Sequence, residues 1–160
     1  MKEPLRFPLS EVKENGEMPV KASVPADLFP DALTEGALVG PVAVEGTITQ
    51  VEDDAVFEGS ARGKWRFECT RCLAPVEGTW AEAFDLTVPI DSGSMDLTEE
   101  VRQSIGLAQP MKMFCKPDCK GLCPTCRADR NKKDCGHPLP VADESPRTVK
   151  PRLIPRPKKG

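Results

Sequence analysis

The sharpest hydrophobic pattern in the chain lies between residues 42 and 88, where apolar and polar positions alternate. Val42, Val44 and Ile48 share one parity before the turn "EDDA". Phe57, Ala61, Trp65 and Phe67 then share another, with Glu58, Ser60, Arg62, Lys64 and Arg66 between them. After "CTRCLAP" the alternation resumes through Val76, Trp80, Phe84, Leu86 and Val88, set against Glu77, Thr79, Asp85 and Thr87. A period of two marks half-buried antiparallel strands. These residues therefore predict a hairpin with Cys69 and Cys72 at its tip. Trp65 and Trp80 sit on the apolar parity, which favours core packing over a second reading as base-stacking platforms.

The period changes at "DSGSMDLTEEVRQSIGLAQP". Leu97, Val101 and Ile105 recur every four residues, Asp96 with Glu99 resembles a capping box, and Pro110 stops the run. One helix over about 96–108 is predicted. Residues 1–36, rich in proline and acid, read as brief strands and loops, and no repeat of fold-defining length is evident. The expected fold class is α+β: mainly antiparallel β sheet or partial barrel, one helix, and a cysteine-rich zinc-knuckle segment. The expected organisation is a β-rich domain over 1–110, a metal-binding segment over 111–138 packed on it, and a basic proline-rich tail over 139–160.

Composition agrees with a small globular chain. Hydrophobic residues make up 39% and charged residues 29%, with 17 prolines, 12 glycines and no tyrosine. No apolar run approaches a membrane span, and the opening "MKEPLRFPLSEVKENG" lacks the apolar core of a leader. A cytoplasmic location with no membrane partner is expected, and there thiols stay reduced. Seven cysteines cannot all pair, although a disulfide scaffold is the alternative. The net charge of −3 conceals −12 over residues 1–100 and +9 over 101–160. A basic second half suggests an anionic partner.

Five cysteines and the single histidine fall within "CKPDCKGLCPTCRADRNKKDCGH", residues 115–137. With Cys69 and Cys72 they supply eight donors, enough for two closed tetrahedral zinc shells. The favoured partition is Cys69, Cys72, Cys115 and Cys119 at one site, and Cys123, Cys126, Cys135 and His137 at the other. A rival uses the late cluster for one ion and leaves Cys69 and Cys72 reduced or partly occupied. One or two zinc ions are thus expected. A histidine beside proline can also be merely solvated; as a ligand, its protonation would compete with metal and loosen the second site first.

Catalysis is not expected. Closed shells leave no position for water, a second histidine is missing, and neither HxE nor HExxH occurs. CPTC lacks the strand and helix that a thioredoxin-like redox pair needs. Structural zinc would contribute on the order of 10–16 kcal/mol of apparent binding energy, enough to matter to a small sheet.

The mid-chain "CTRCL" between alternating strands, followed by "LAQPMKMFCKPDCKGLCPTCRADRNKKDCGH", resembles the YceD family, the large ribosomal RNA subunit accumulation proteins. The most specific part runs Cys115, Cys119, Gly121, Leu122, Cys123, Pro124 and Cys126, with Asn131 and Cys135 after it. The likeness covers about Val42 to His137. The family usually has glycine where Arg127 stands, leucine where Arg130 stands, and cysteine where His137 stands. The resemblance implies a non-enzymatic ribosome-biogenesis factor acting on synthesis, processing or stability of large-subunit (23S) rRNA. Lys116, Lys120, Arg127, Arg130, Lys132 and Lys133 crowd the cysteine loop and are the candidate RNA-binding residues, extended by basic residues of the tail. The expected partner is rRNA or a pre-ribosomal particle, with no small-molecule substrate. The second reading is a zinc-stabilised adaptor whose acidic sheet binds a ribosomal or RNA-processing protein.

Overall fold

The computed structural model describes residues 4–139. Its elements in chain order are β1 (Arg6–Pro8), α1 (Ser10–Asn15), β2 (Glu17–Val24), β3 (Ala37–Val51), β4 (Asp54–Glu68), β5 (Pro75–Pro89), β6 (Ser94–Asp96) and α2 (Thr98–Ala108). Short 3-10 turns lie at Ala26–Leu28 and Ile90–Ser92. The fold is α+β and mostly antiparallel sheet.

β2, β3, β4 and β5 form a meander in that order, while β1 and β6 make a separate two-stranded ribbon. The sheet is open and does not close into a barrel. Four strands are too few to enclose a filled interior. The apolar face is instead covered by β1, α1, β6 and α2, through Leu5, Leu9, Val12, Met95, Leu97, Val101 and Ile105, all fully buried. These meet Val42, Val44, Ile48, Phe57 and Ala61 of the sheet. The two-residue parity read from the sequence is the one that the fold uses: Phe57 pairs with Ile48 on one side and Leu86 on the other.

Large rings lie on this face because glycines stand opposite them. Trp80 pairs with Gly63, and Trp65 with Gly78. A Cβ at either glycine would come within 2.9 Å of the facing indole nitrogen. Each indole thus lies across the bare backbone of the neighbouring strand, and the two rings stack with centroids 6.3 Å apart. Both tryptophans are 5% exposed, which removes the base-stacking reading. The Trp80 indole N–H is buried without a partner among the described residues.

Two local expectations change. The stretch before residue 36 holds a short helix and an eight-residue strand; α1 is closed by Gly16, whose φ of 81° lets its N–H reach Val12. The capping box at α2 is half-formed. Asp96 accepts the Thr98 N–H at 2.9 Å, but Glu99 reaches forward to Arg102 and Gln103 instead of back. A guanidinium one turn on competes for that carboxylate. Val101 and Ile105 face the core as their spacing requires. The tail beyond Leu139 lies outside the described residues.

Candidate metal centre

β4 and β5 are joined at one end by a tight turn, Cys69 to Ala74. The Cys69 N–H bonds to the Ala74 carbonyl at 2.8 Å and the Leu73 N–H to the Cys69 carbonyl at 2.9 Å. The N–H groups of Arg71 and Cys72 point at the Cys69 sulfur. Leu73 completes the turn with a φ of 61°.

The same turn occurs again at Cys123 to Ala128. The Cys123 N–H bonds to the Ala128 carbonyl at 2.9 Å and the Arg127 N–H to the Cys123 carbonyl at 2.8 Å. The N–H groups of Thr125 and Cys126 point at the Cys123 sulfur, and Arg127 has a φ of 59°. "CTRCLA" and "CPTCRA" are therefore two copies of one knuckle. The shared cysteines and alanine at fixed offsets were the signal in the sequence, too short to register as a repeat.

Each knuckle supplies half of a donor group. Cys69 and Cys72 meet Cys115 and Cys119; Cys123 and Cys126 meet Cys135 and His137. Within each group all candidate donor atoms lie within 4.8 Å of one another. The Cys69 and Cys119 sulfurs are 3.7 Å apart and those of Cys72 and Cys115 3.5 Å. A regular tetrahedron with metal–sulfur bonds of about 2.3 Å has edges of about 3.8 Å, so the first group fits zinc with little movement. In the second, Nδ1 of His137 lies 3.7 Å from the Cys123 sulfur. All seven cysteines are free thiols.

Thiol electrostatics also suit a cation. Burial opposes ionisation of Cys69, but backbone N–H groups of Cys72, Cys115 and Arg71 outweigh it and bring the thiol down to about 6. The Cys126 and Thr125 N–H groups bring Cys123 down to about 6. Their neighbours go the other way. The adjacent Cys72 pushes Cys115 up to about 12. Cys135 is raised too, although the His137 N–H favours its thiolate, because Cys123 and burial oppose it. In the first group Cys69 is thus lowered while Cys115 is raised, and in the second Cys123 is lowered while Cys135 is raised. A divalent ion would relieve the repulsion between neighbouring sulfurs and let all become thiolates.

The two groups differ in burial. Cys69, Cys72 and Cys119 are buried and form a small apolar cluster with Ala74, Val76, Phe114 and Leu122. Of the second group only Cys123 is buried; Cys126 and His137 are exposed. Arg71, inside the first knuckle, fixes the later segment. Its guanidinium bonds to the Cys119 carbonyl at 2.9 Å and lies 4.5 Å over the Phe114 ring, while its own carbonyl takes the Leu122 N–H. Gly121 passes so near that a Cβ would sit 3.1 Å from that carbonyl oxygen. Thr70 adds a paired contact to the Met113 backbone. Neither Arg71 nor Thr70 was marked by spacing, because a clamp of this kind exists only after the two segments meet.

The basic side chains lie outside the donor groups. Lys116, Lys120, Arg127, Lys132 and Lys133 are exposed and Arg130 is half-buried. Lys132 lies 4.0 Å from Asp129. Among the described residues, no helix is long and apolar enough to cross a membrane.

The family described as "Large ribosomal RNA subunit accumulation protein YceD" has a sequence model that matches residues 81–154. A YceD family domain is thus detected in this chain. The match begins within β5, after the first knuckle, and takes in all the late cysteines. Uncharacterized proteins of Mycobacterium tuberculosis and Mycobacterium bovis are each 30% identical, over 59% of this chain and 53% of the relative. An uncharacterized protein of Mycobacterium leprae is 25% identical over 54% and 48%. The chain spans about half the length of these curated relatives. No solved structure matches.

Proposed function

We propose that the chain is a non-enzymatic, cytoplasmic ribosome-biogenesis factor that promotes synthesis, processing or stability of large-subunit (23S) rRNA. In this reading two structural zinc ions hold residues 111–139 against the sheet. The held segment then binds rRNA or a nascent large-subunit particle. The match of residues 81–154 to the YceD family carries the proposal. The exposed cations around the donor groups support it: residues 111–139 hold seven Lys and Arg against three Asp. Zinc chemistry here is charge neutralisation and cross-linking, and the chain's own residues make the contacts. Lys116, Lys120, Arg127, Arg130, Lys132 and Lys133 meet phosphates, with affinity that falls as salt rises.

The test is crosslinking of the tagged protein in cells, with sequencing of bound RNA and identification of co-purified proteins. Enrichment of 23S rRNA supports the reading. Replacing the six basic residues with glutamine lowers the logarithmic salt slope of RNA binding by up to about 4. A second reading, a zinc-stabilised adaptor for a basic ribosomal or RNA-processing protein, is favoured by the −12 charge of residues 1–100. Protein capture that survives the six replacements, with no RNA enriched, would select it.

A further inference from the structure

Asn131 belongs by sequence to the second donor group, between Cys126 and Cys135, yet its side chain serves the first. Its Nδ2 donates to the Cys119 sulfur at 3.3 Å. Its Oδ1 accepts the Lys120 N–H at 2.9 Å, which fixes the amide so that the NH2 end must face the sulfur. Asp129 holds the residue from behind, its Oδ1 taking the Asn131 backbone N–H at 2.9 Å and the Nδ2 at 3.0 Å. Cys119 is 3% exposed, so its sulfur cannot draw this donor from water. The Gly121 N–H also points at this sulfur.

We infer that Asn131 couples the two donor groups, so that a metal ion in the second raises the affinity of the first. The loop that carries Asn131 starts at Cys126 and ends at Cys135, both donors of the second group. A metal there closes that loop and sets Asp129 and Asn131 in place. A hydrogen bond to a buried thiolate offsets its negative charge, and such outer-shell partners are worth about 10–100-fold in metal affinity. Coupling of this kind is reciprocal, so metal in the first group also aids the second. The inference rests on the zinc reading above and adds an order of loading to it.

Cobalt(II) is the probe, because thiolate-to-cobalt charge transfer and ligand-field bands distinguish four sulfurs from three sulfurs and one nitrogen. The full chain is titrated as wild type, Asn131→Ala, His137→Ala and the double variant. Asn131→Ala is expected to lower affinity at the four-sulfur site about tenfold or more. His137→Ala, which weakens the other site, should lower it in the wild-type background but not when Asn131 is already alanine. Asn131→Asp keeps the oxygen that holds Lys120 and loses the donor to sulfur. It should move the four-sulfur charge-transfer band to longer wavelength, as Asn131→Ala does. A wild-type band in Asn131→Asp would reduce Asn131 to holding the loop and overturn the inference. Unchanged four-sulfur affinity in His137→Ala while the second group stays empty would overturn it and leave the metal reading of the first group intact. A wild-type chain that binds no cobalt would remove both.

Discussion

Leu73 and Arg127 occupy the same place in two copies of one turn, each directly after the second cysteine of a CxxC pair and each left-handed, at φ 61° and 59°. That backbone region favours glycine, and other residues pay about 1–2 kcal/mol to enter it. The YceD family's usual glycine at the position of Arg127 now has a physical reason.

Arg127→Gly should therefore tighten metal binding at the second donor group by about fivefold, close to 1 kcal/mol after the greater freedom of glycine in the unfolded chain is deducted. Competition with a chromophoric chelator measures it. Under the proposed function the same variant weakens RNA binding, since one exposed cation is lost. Opposite signs in the two assays would separate the turn's geometry from its charge.

Metal removal should act locally. Residues 111–139 are held by turn hydrogen bonds and by the cluster at Cys69, Cys72 and Cys119, whereas the sheet and α2 share a separate core. Hydrogen exchange after strong chelation is expected to show protection lost over 111–139 and kept in β3 and β4. Equal loss across the sheet would mean that the ions support the whole fold.

Gly63→Ala should destabilise by about 1–3 kcal/mol, the usual cost of forcing a methyl into a filled contact. The new Cβ would meet Trp80, so chemical unfolding followed by tryptophan fluorescence reports both the loss and the altered ring environment. Gly78→Ala, facing Trp65, should behave alike.

Glu99 supplies a pH-dependent prediction. Hydrogen bonds from Arg102, then Gln103, hold its carboxyl down at about 2. A carboxylate lowered on folding adds stability that is complete above its ordinary range and is lost as pH falls toward the folded value. The window runs from about 4.5 down to about 2. Carboxyl NMR titration should place the midpoint near the lower end, and Arg102→Gln should return it upward. The residue is solvent-exposed, so the effect on overall stability is small.

The meander and α2 were legible in the sequence because amphipathic periodicity is a local property: Phe57, Trp65 and Trp80 announce their face to a reader who knows nothing else. The eight soft donors were legible as well, since few other residue types bind zinc. What escaped depends on meetings between distant segments. α1 has a single buried position, Val12, too few for a period. The β1–β6 ribbon pairs three residues with three others almost ninety positions away. The roles of Arg71 and Asn131 arise only when the knuckle and the late segment touch. Glu99 departs from the capping pattern because capping and ion pairing use the same carboxylate, and only the rotamer decides between them.

Cys72 and Cys115 stand 43 residues apart in sequence with their sulfurs in contact, and everything between them, β5, β6 and α2, lies on the span they bracket. An ion shared by those sulfurs would turn that span into a covalent-like ring tied at the knuckle. The hairpin of β4 and β5 could then not unzip from its tip, and separation of the strands would have to begin at the far end, where Asp54 faces Pro89.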